Sequence, residues 1–258
     1  MSTQTAGDLL RHWRLERRLS QLELAGRAET SARHLSFIET GRSTPSRAML
    51  VHLCEHLDIP LRERNRLLLA AGYAPAYAEP SLDTPAMDAV RGALRQILAG
   101  HEPYPALAID QCWNMIDANK GVALLLTGID SKLLTAPVNA MRLSLHPDGM
   151  APSIINLPEW RGHLLARLNR QIEVTGTPGL AELRDEMLSY PGGESDPELP
   201  EPDQAVVPMR VRHDGRELSF ISATTVFGTP MNVTVAELAI ESFFPADQQT
   251  QRYLTELR

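Results

Sequence analysis

The sequence has 258 residues, 43% hydrophobic and 22% charged, which is enough for two packed domains, and no apolar run approaches the roughly 20 residues of a transmembrane helix. Its net charge of -7 is uneven: residues 1–72 carry 11 Arg, no Lys and 8 acidic residues, whereas the remainder carries 14 basic and 24 acidic residues. A basic first part and an acidic remainder predict that one end of the chain meets phosphate and the other does not.

Residues 1–5 lack the basic and apolar regions of a signal peptide, and the two cysteines, Cys54 and Cys112, lie far apart in the sequence. We therefore expect a cytoplasmic protein whose thiols are reduced. A disulfide between these two residues is the alternative.

Five stretches within residues 1–72 have apolar residues at helical spacing, which predicts an all-α domain of five short helices. Ser20, Ser31 and Ser46 stand where N-caps are expected, and Gly72 ends the last helix. Residues 73–85 contain three prolines and predict a linker, and an amphipathic connecting helix follows. We expect residues 73–102 to join the first domain to a second one at 103–258.

The second domain is expected to have an α+β fold, with about five antiparallel strands and helices inserted between the second and third strands. The final strand shows a change of apolar parity, which predicts a β-bulge near Ala236 or Glu237. A Pro-Gly-acidic segment at 191–204 is expected to form a loop. The expected strands are 106–110, 112–118, 206–212, 217–227 and 232–244, and the expected helices are 119–126, 140–145, 158–174, 178–189 and a short final one.

The most informative segment is the pair of helices predicted within residues 20–47. With Leu35 and Ile38 on the buried face of the second helix, a step of about 100° per residue places Arg33 and Phe37 on the opposite face. Arg can bond guanine in two places, and an aromatic ring can pack on a thymine methyl group, so this face suits the DNA major groove. The alternative is that Phe37 packs on a neighbouring helix and Arg33 is merely solvated.

Residues around this helix offer contacts to phosphate. Gln21 and the capping Ser31 supply donors, and the segment Gly41, Arg42 and Ser43 supplies a close-approaching backbone and a cation. The expected DNA-contacting residues are Gln21, Ser31, Ala32, Arg33, His34, Phe37, Arg42 and Ser43.

Glu39 lies near the buried face, where a carboxylate needs a partner to offset its desolvation. Arg14 is the expected partner, because its stem can run along the core beside Leu10 and Trp13. The alternative is that Arg14 and Glu39 are two unrelated surface charges.

A set of residues in this part of the chain resembles the Cro/C1-type (XRE family) helix-turn-helix domain of phage repressors and bacterial regulators. They are Leu10, Arg11, Arg14, Leu19, Ser20, Gln21, Leu24, Ala25, Ser31, Ile38, Glu39, Gly41 and Arg42. The resemblance implies that Gln21 and Arg42 contact phosphate and that Ala32, Arg33 and Phe37 meet bases. Glu29 departs from the motif, which often has Gly at this turn position. Because a left-handed non-Gly residue costs roughly 1 to 2 kcal/mol, we expect a slightly different turn here.

The strings RHLSFIETGRSTPSR, LHPDG, FGTP and ESFFPAD resemble the MmyB-like subfamily of these regulators over nearly the whole chain. The resemblance implies a C-terminal ligand-binding domain of PAS-like fold, and it points to fatty-acid-like ligands.

A concave sheet covered by helices can enclose an apolar pocket with a few polar groups. Most apolar residues of such a domain simply fill its core, and each polar candidate can equally be a surface or capping residue. His163 is a further polar candidate, and the main candidate ligand contacts are Trp113, Asn119, Arg142, His146, Trp160, Arg167, Phe220 and Phe227.

No spacing in the sequence resembles a metal site, a phosphate-cradling loop or a local nucleophile motif, so we expect no metal, no cofactor and no catalysis.

The expected partners are a double-stranded DNA operator and a small apolar ligand such as a fatty acid. One helix-turn-helix reads a short half-site, so we also expect a homodimer. The rival hypotheses are a purely structural dimerisation domain and an enzyme tethered to DNA. Leu94, Ile97 and Leu98 can form the dimer seam or pack on the protein's own sheet.

Overall fold

The computed structural model describes residues 4–193 and 206–256. Its chain divides into two compact units. The first comprises the described residues up to Pro80 together with Thr229–Ala236, and the second comprises Ser81–Gly228 and the described residues from Glu237 onward.

The first unit is helical, whereas the second contains both helices and the strands of one sheet. Among the described residues, the helices are α1 Ala6–Glu16, α2 Gln21–Arg27, α3 Ala32–Glu39, α4 Arg47–His56, α5 Leu61–Ala70, α6 Asp88–Gly100, α7 Ala140–Leu145, α8 Leu157–Thr175, α9 Leu180–Ser189, α10 Val233–Ala236 and α11 Gln248–Glu256. The strands are β1 Ala106–Ile109, β2 Met115–Ala118, β3 Met209–His213, β4 Arg216–Val226 and β5 Ala239–Pro245.

The five helices predicted for the first part of the chain are confirmed, and their starts have the expected chemistry. Ser20, Ser31 and Ser46 each accept a hydrogen bond from a backbone amide in the first turn of the helix that follows. Gly7 allows α1 to approach α3 closely, because a Cβ at this position would lie 2.5 Å from the carbonyl oxygen of Ile38. The buried residues of the five helices form one apolar core.

The turn between α2 and α3 differs from the sequence expectation. Glu29 has a φ of 49° and therefore does occupy the left-handed conformation for which the motif often uses Gly. The expected alternative turn was wrong. In this conformation the amide of Thr30 donates to the carbonyl of Ala25 at 2.9 Å. The contacts of the surrounding structure offset the backbone strain at Glu29.

Asn65 organises the segment that follows α5. Its side chain is almost fully buried, accepts from the amides of Ala76 and Tyr77, and donates to the Tyr77 carbonyl and the Glu79 carboxylate. The residues 229–236 join the same unit: the amide of Val233 donates to the carbonyl of Ala78 at 2.9 Å. Residues 229–236 stand between β4 and β5 in the sequence, so the chain passes from β4 into the first unit and returns from it to β5.

The second unit contains an antiparallel sheet of five strands, within the described ranges, in the order β2-β1-β5-β4-β3. This confirms the predicted PAS-like α+β fold. A two-residue turn joins β3 to β4, and both of its residues, Asp214 and Gly215, have positive φ, as a type I′ hairpin requires. One face of the sheet packs in the main core with helices that include α8 and α9.

The opposite face of the sheet is partly covered by α6. Leu94 and Leu98 form a small core with Ala106, Ala108 and Ile240, whereas Ile97 is exposed. Of the two alternatives for this helix, packing on the protein's own sheet therefore accounts for Leu94 and Leu98.

The predicted final strand at 232–244 was wrong in its first part. Asn232 accepts from the amide of Val235 through its side chain and starts the short helix α10, and β5 begins only at Ala239. The change in apolar parity marks this helix-to-strand change, so no bulge forms near Ala236 or Glu237. The helix predicted at 119–126 is a 3₁₀ helix, Lys120–Leu124, and most of the loop predicted at 191–204 lies outside the described residues.

Candidate nucleic-acid interface and internal cavity

The outward face of α3 carries an arginine stacked on an aromatic ring. Leu35 and Ile38 are buried, Arg33 is exposed and Phe37 is partly exposed. The guanidinium carbon of Arg33 lies 5.4 Å from the centre of the Phe37 ring. This cation–π contact holds the planar fork of Arg33 above an apolar surface and restricts its rotation.

A buried ion pair fixes α3 against α1, as predicted. Arg14 Nε and Nη2 donate to the two carboxylate oxygens of Glu39 at 2.7 and 2.9 Å, and the two side chains are only 8% and 1% exposed. Arg14 Nη1 also donates to the carbonyl of Leu19 at 2.7 Å. The hydrogen bonds with Glu39 raise the pKa of Arg14. We call this pair the α1–α3 brace.

Gln21 is part of the same network. Its side-chain nitrogen donates to Glu39 Oε2 at 2.8 Å, so the amide is oriented from within the unit. Ser31 caps α3 by accepting from the amide of His34, and its hydroxyl proton remains able to donate. Ser31 is exposed, and Ala32, His34 and Ser43 are partly exposed. All four residues are therefore accessible from solvent.

The backbone after α3 does not have the role expected from the sequence. The amides of Arg42 and Ser43 donate to the carbonyl of Phe37 at 2.8 and 3.1 Å, so they close the helix end and do not point toward a phosphate. Gly41, with a φ of 70°, supplies the turn. The Arg42 side chain is exposed, and no carboxylate in the described part of the chain lies within ion-pair distance of it.

The second unit contains an apolar cavity of about 60 Å³ between the inner face of the sheet and the helices that cover it. The volume is well below the roughly 150 Å³ that admits benzene in an engineered protein cavity. Four flexible methionines line it, so its shape can adapt. The lining residues are Leu107, Trp113, Met115, Val122, Leu125, Leu126, Ala140, Met141, Leu143, Ser144, Met150, Trp160, Leu164, Arg167, Met209, Glu241 and Phe243.

A charged pair forms part of the cavity wall. Arg167 Nη1 and Nη2 donate to the two oxygens of Glu241 at 3.1 and 2.5 Å, and Nη2 also donates to Thr224 Oγ1 at 2.8 Å. The guanidinium carbon lies 4.9 Å from the centre of the Trp113 ring. Trp113 Nε1 donates in turn to Gln171. The pair is thus held in place by groups on the sheet and on α8.

A second cavity of about 460 Å³ is larger, and its lining is more polar. It is lined by Glu102, Pro103, Lys120, Gly121, Leu124, Thr127, His213 and Leu254. The smaller cavity is the better ligand candidate, because it is bordered by the sheet and the core helices and is mostly apolar.

Three of the candidate ligand contacts line the apolar cavity together: Trp113, Trp160 and Arg167. His163, the further polar candidate, lies beside it and stacks on Trp160 with ring centres 5.3 Å apart. Burial lowers the pKa of His163. The imidazole is therefore held neutral more strongly than an exposed one.

The other polar candidates have structural roles outside the cavity lining. Asn119 accepts from the amide of Ala106 and donates to the carbonyls of Leu98 and Tyr104, so it joins α6 to the sheet. Arg142 forms a paired contact with Glu186 at 2.7 and 2.8 Å.

His146 stands at the end of α7. Its Nδ1 accepts from the amide of Asp148, and its ring contacts Tyr190 edge-on. The local hydrogen bond explains why His146 is held away from the cavity.

The two aromatic candidates from the strands also lie outside the lining. Phe220 is fully buried in the main core, where its ring contacts Phe243 edge-on at 6.4 Å. Phe227 packs with α6 on the opposite face of the sheet. Residue type alone does not show which face of a strand a side chain occupies. Side chains alternate between the two faces, so the face of every residue follows only once the face of one residue is known.

Glu241 and Ser144 are the polar lining residues that the sequence reasoning missed. Glu241 is the only charged residue between Ile240 and Phe244, and a lone carboxylate in a buried strand signals a buried partner. Ser144 lies on α7 and accepts from Trp160 Nε1 at 2.9 Å. Nothing in the local sequence distinguishes Ser144 from a surface serine.

Cys54 and Cys112 are not joined by a disulfide: Cys54 is buried, which raises its pKa to about 12, and Cys112 is partly exposed. No cluster of three His, Cys, Asp or Glu residues that could hold a metal ion occurs in residues 4–193 and 206–256. Within these ranges no helix has the length and apolarity needed to span a bilayer.

The chain matches two protein families. Residues 90–257 match the MmyB-like transcription regulator ligand binding domain, and residues 5–67 match a helix-turn-helix domain. No curated protein matches the chain. Among solved structures, an RNA-binding light-oxygen-voltage receptor is similar over 98% of this chain and 62% of its own, at 12% identity and a TM-score of 0.30. That likeness is too weak to support a functional argument.

Proposed function

Because the chain belongs to the MmyB-like transcription regulators, we propose that it binds one operator sequence through α3 and that a small apolar or fatty-acid-like ligand in its second unit changes this binding. The observation that carries the proposal is the exposed Arg33 held over the Phe37 ring on the outward face of α3. The proposed setting is the cytoplasm, where DNA is accessible and both thiols stay reduced.

In the proposed complex α3 lies in the major groove. Arg33 bonds a guanine in two places, and the Phe37 ring packs on a thymine methyl group. Ala32 approaches the base edges closely because it is small, and His34 and Ser43 contact the borders of the same site. Gln21 and Ser31 donate to phosphate, as groups at helix N-termini commonly do.

Arg42 is assigned to phosphate, since its side chain is exposed and unpaired in the described part of the chain. Arg42→Ala is expected to weaken binding to all DNA sequences alike and to lower the slope of log K against log salt by about one unit. Fluorescence anisotropy on operator and random duplexes over a range of salt concentrations measures both effects. A loss confined to the operator would contradict the phosphate assignment.

We propose a homodimer on a near-palindrome whose half-sites are about 10 base pairs apart, or a multiple of that spacing. A single helix α3 reads only a few base pairs, which supports two copies on one operator. Analytical ultracentrifugation of the protein with a selected operator gives the stoichiometry, and one copy per duplex would rule out the dimer.

The proposed ligand site is the apolar cavity of the second unit. Since its volume is about 60 Å³, a ligand of more than a few heavy atoms must displace side chains, and the methionines Met115, Met141, Met150 and Met209 are the most adaptable of them. A ligand-bound state is therefore expanded relative to this structure. Such a difference is what a ligand needs in order to shift a conformational equilibrium.

Native mass spectrometry of the purified chain tests this site. We expect a bound small molecule of apolar character, and we expect its removal to lower the melting temperature. Consistent failure to find a ligand, with no compound raising the melting temperature, would instead favour a purely structural second domain.

Two strands connect the proposed ligand site to the first unit. Thr224 on β4 and Glu241 on β5 are register partners at the cavity wall, and both strands continue into residues 229–236. A ligand that moves the Arg167–Glu241 pair thus acts on both strands that carry this segment. Hydrogen exchange of the Val233 amide with and without ligand is the direct readout of this route.

A further inference from the structure

The charges in the wall of the apolar cavity cancel each other. Of the described residues that line it, only Arg167 and Glu241 are charged, and they form a paired contact with one another. The side chain of Glu241 is 5% exposed and that of Arg167 is 26% exposed. The cavity therefore offers no net charge to a ligand.

Arg167 is not available to a ligand anion without a cost. Both oxygens of Glu241 are occupied by Arg167, one of them also accepts from Thr224, and the Trp113 ring faces the guanidinium. A ligand carboxylate that took Arg167 would leave the buried carboxylate of Glu241 without its cation. Removing one partner of a buried pair is strongly unfavourable.

Ser144 provides a neutral contact instead. Its hydroxyl oxygen accepts from Trp160 Nε1, which leaves the hydroxyl proton to donate into the cavity that Ser144 lines. An alcohol, ester or ketone oxygen can accept this proton, and neither partner has to carry a charge.

From these contacts we infer that the cavity selects a neutral, mainly apolar ligand with one hydrogen-bond acceptor, and that Glu241 excludes carboxylates. This inference rests on the proposed ligand site and narrows its ligand class. The apolar chain of a fatty-acid-like molecule fits the lining, whereas the ionised head group does not.

The test uses full-length protein stripped of ligand and four compounds with the same alkyl chain: octanol, methyl octanoate, octanoate and octylamine. Binding is measured by isothermal titration calorimetry at neutral pH. We expect octanol and methyl octanoate to bind at least about tenfold more tightly than octanoate or octylamine. The wild-type comparison needs no variant, so it holds even if a substitution at Glu241 prevents folding.

Glu241→Gln removes the negative charge at nearly constant volume and leaves Arg167 uncompensated. The variant is expected to bind octanoate about tenfold more tightly than wild type does, with little change for methyl octanoate. Glu186→Gln is the matched control, because it removes the same charge from the Arg142 pair, which does not line the cavity. The control is expected to keep the wild-type preference.

Tighter binding of octanoate than of octanol and methyl octanoate by wild type, or an unchanged preference in Glu241→Gln, would overturn this inference while leaving the ligand site in place. A lack of binding by all four compounds, together with no co-purified molecule, would overturn the ligand site itself. The two failures are therefore distinguishable.

Discussion

Glu39→Leu is expected to lower the free energy of unfolding of the first unit by about 3 to 5 kcal/mol. The substitution leaves Arg14 buried, with its charge uncompensated and only the Leu19 carbonyl as a remaining partner. It also removes the acceptor that orients Gln21. The penalty is large because the brace lies in the apolar core between α1 and α3, where water cannot replace the lost partner.

Urea denaturation followed by circular dichroism measures this loss. Glu16→Leu is the matched control, since Glu16 is an exposed acidic residue on α1, and its substitution is expected to change stability by less than about 0.5 kcal/mol. The double variant Arg14→Met with Glu39→Leu is expected to recover much of the loss, because an apolar pair has no unpaired charge. A loss below about 1 kcal/mol in Glu39→Leu would contradict the role of the brace.

Arg33→Ala is expected to weaken binding to the operator by about 1 to 3 kcal/mol and to relax the preference at one base pair. The loss arises because a two-point contact to guanine disappears, whereas binding to random DNA keeps its phosphate contacts. Arg33→Lys keeps the charge but loses the planar fork that stacks on Phe37. We therefore expect Arg33→Lys to lose specificity as well.

Competition binding against duplexes that vary at single positions measures both Arg33 variants. Arg11→Ala is a suitable control, because Arg11 is exposed on α1 and lies outside the assigned reading face. Unchanged operator binding in Arg33→Ala would show that α3 reads DNA through other residues.

The local features of the first unit were predictable from the sequence. Helical spacing around Leu35 and Ile38 fixed the outward direction of Arg33, and a carboxylate near that face required the partner that Arg14 supplies. The conformation of Glu29 was not predictable, because the path of the chain around it decides whether a strained residue is tolerated. The conformational preference of a residue type gives the free-energy cost of a left-handed residue, but it does not give the contacts that offset this cost.

In the second unit the elements were largely predictable from the sequence, but the cavity was not. The strand count and most element positions follow from local patterns, but the cavity depends on which strand faces meet α7 and α8. Trp113 and Arg167 were candidates because of their residue types, whereas the partner Glu241 lies 74 positions after Arg167 in the sequence. Asn119 and Arg142 are also polar, but each forms hydrogen bonds with groups outside the cavity lining.

Recognition of one DNA sequence is measured by the ratio of specific to nonspecific affinity of the chain for duplex DNA. Selection from random duplexes with the full-length protein yields the candidate operator, and anisotropy at physiological salt gives both dissociation constants. We expect a ratio of about 10³ or more in favour of the selected sequence. A ratio near one, with binding that depends only on salt, would show that the chain does not recognise a DNA sequence.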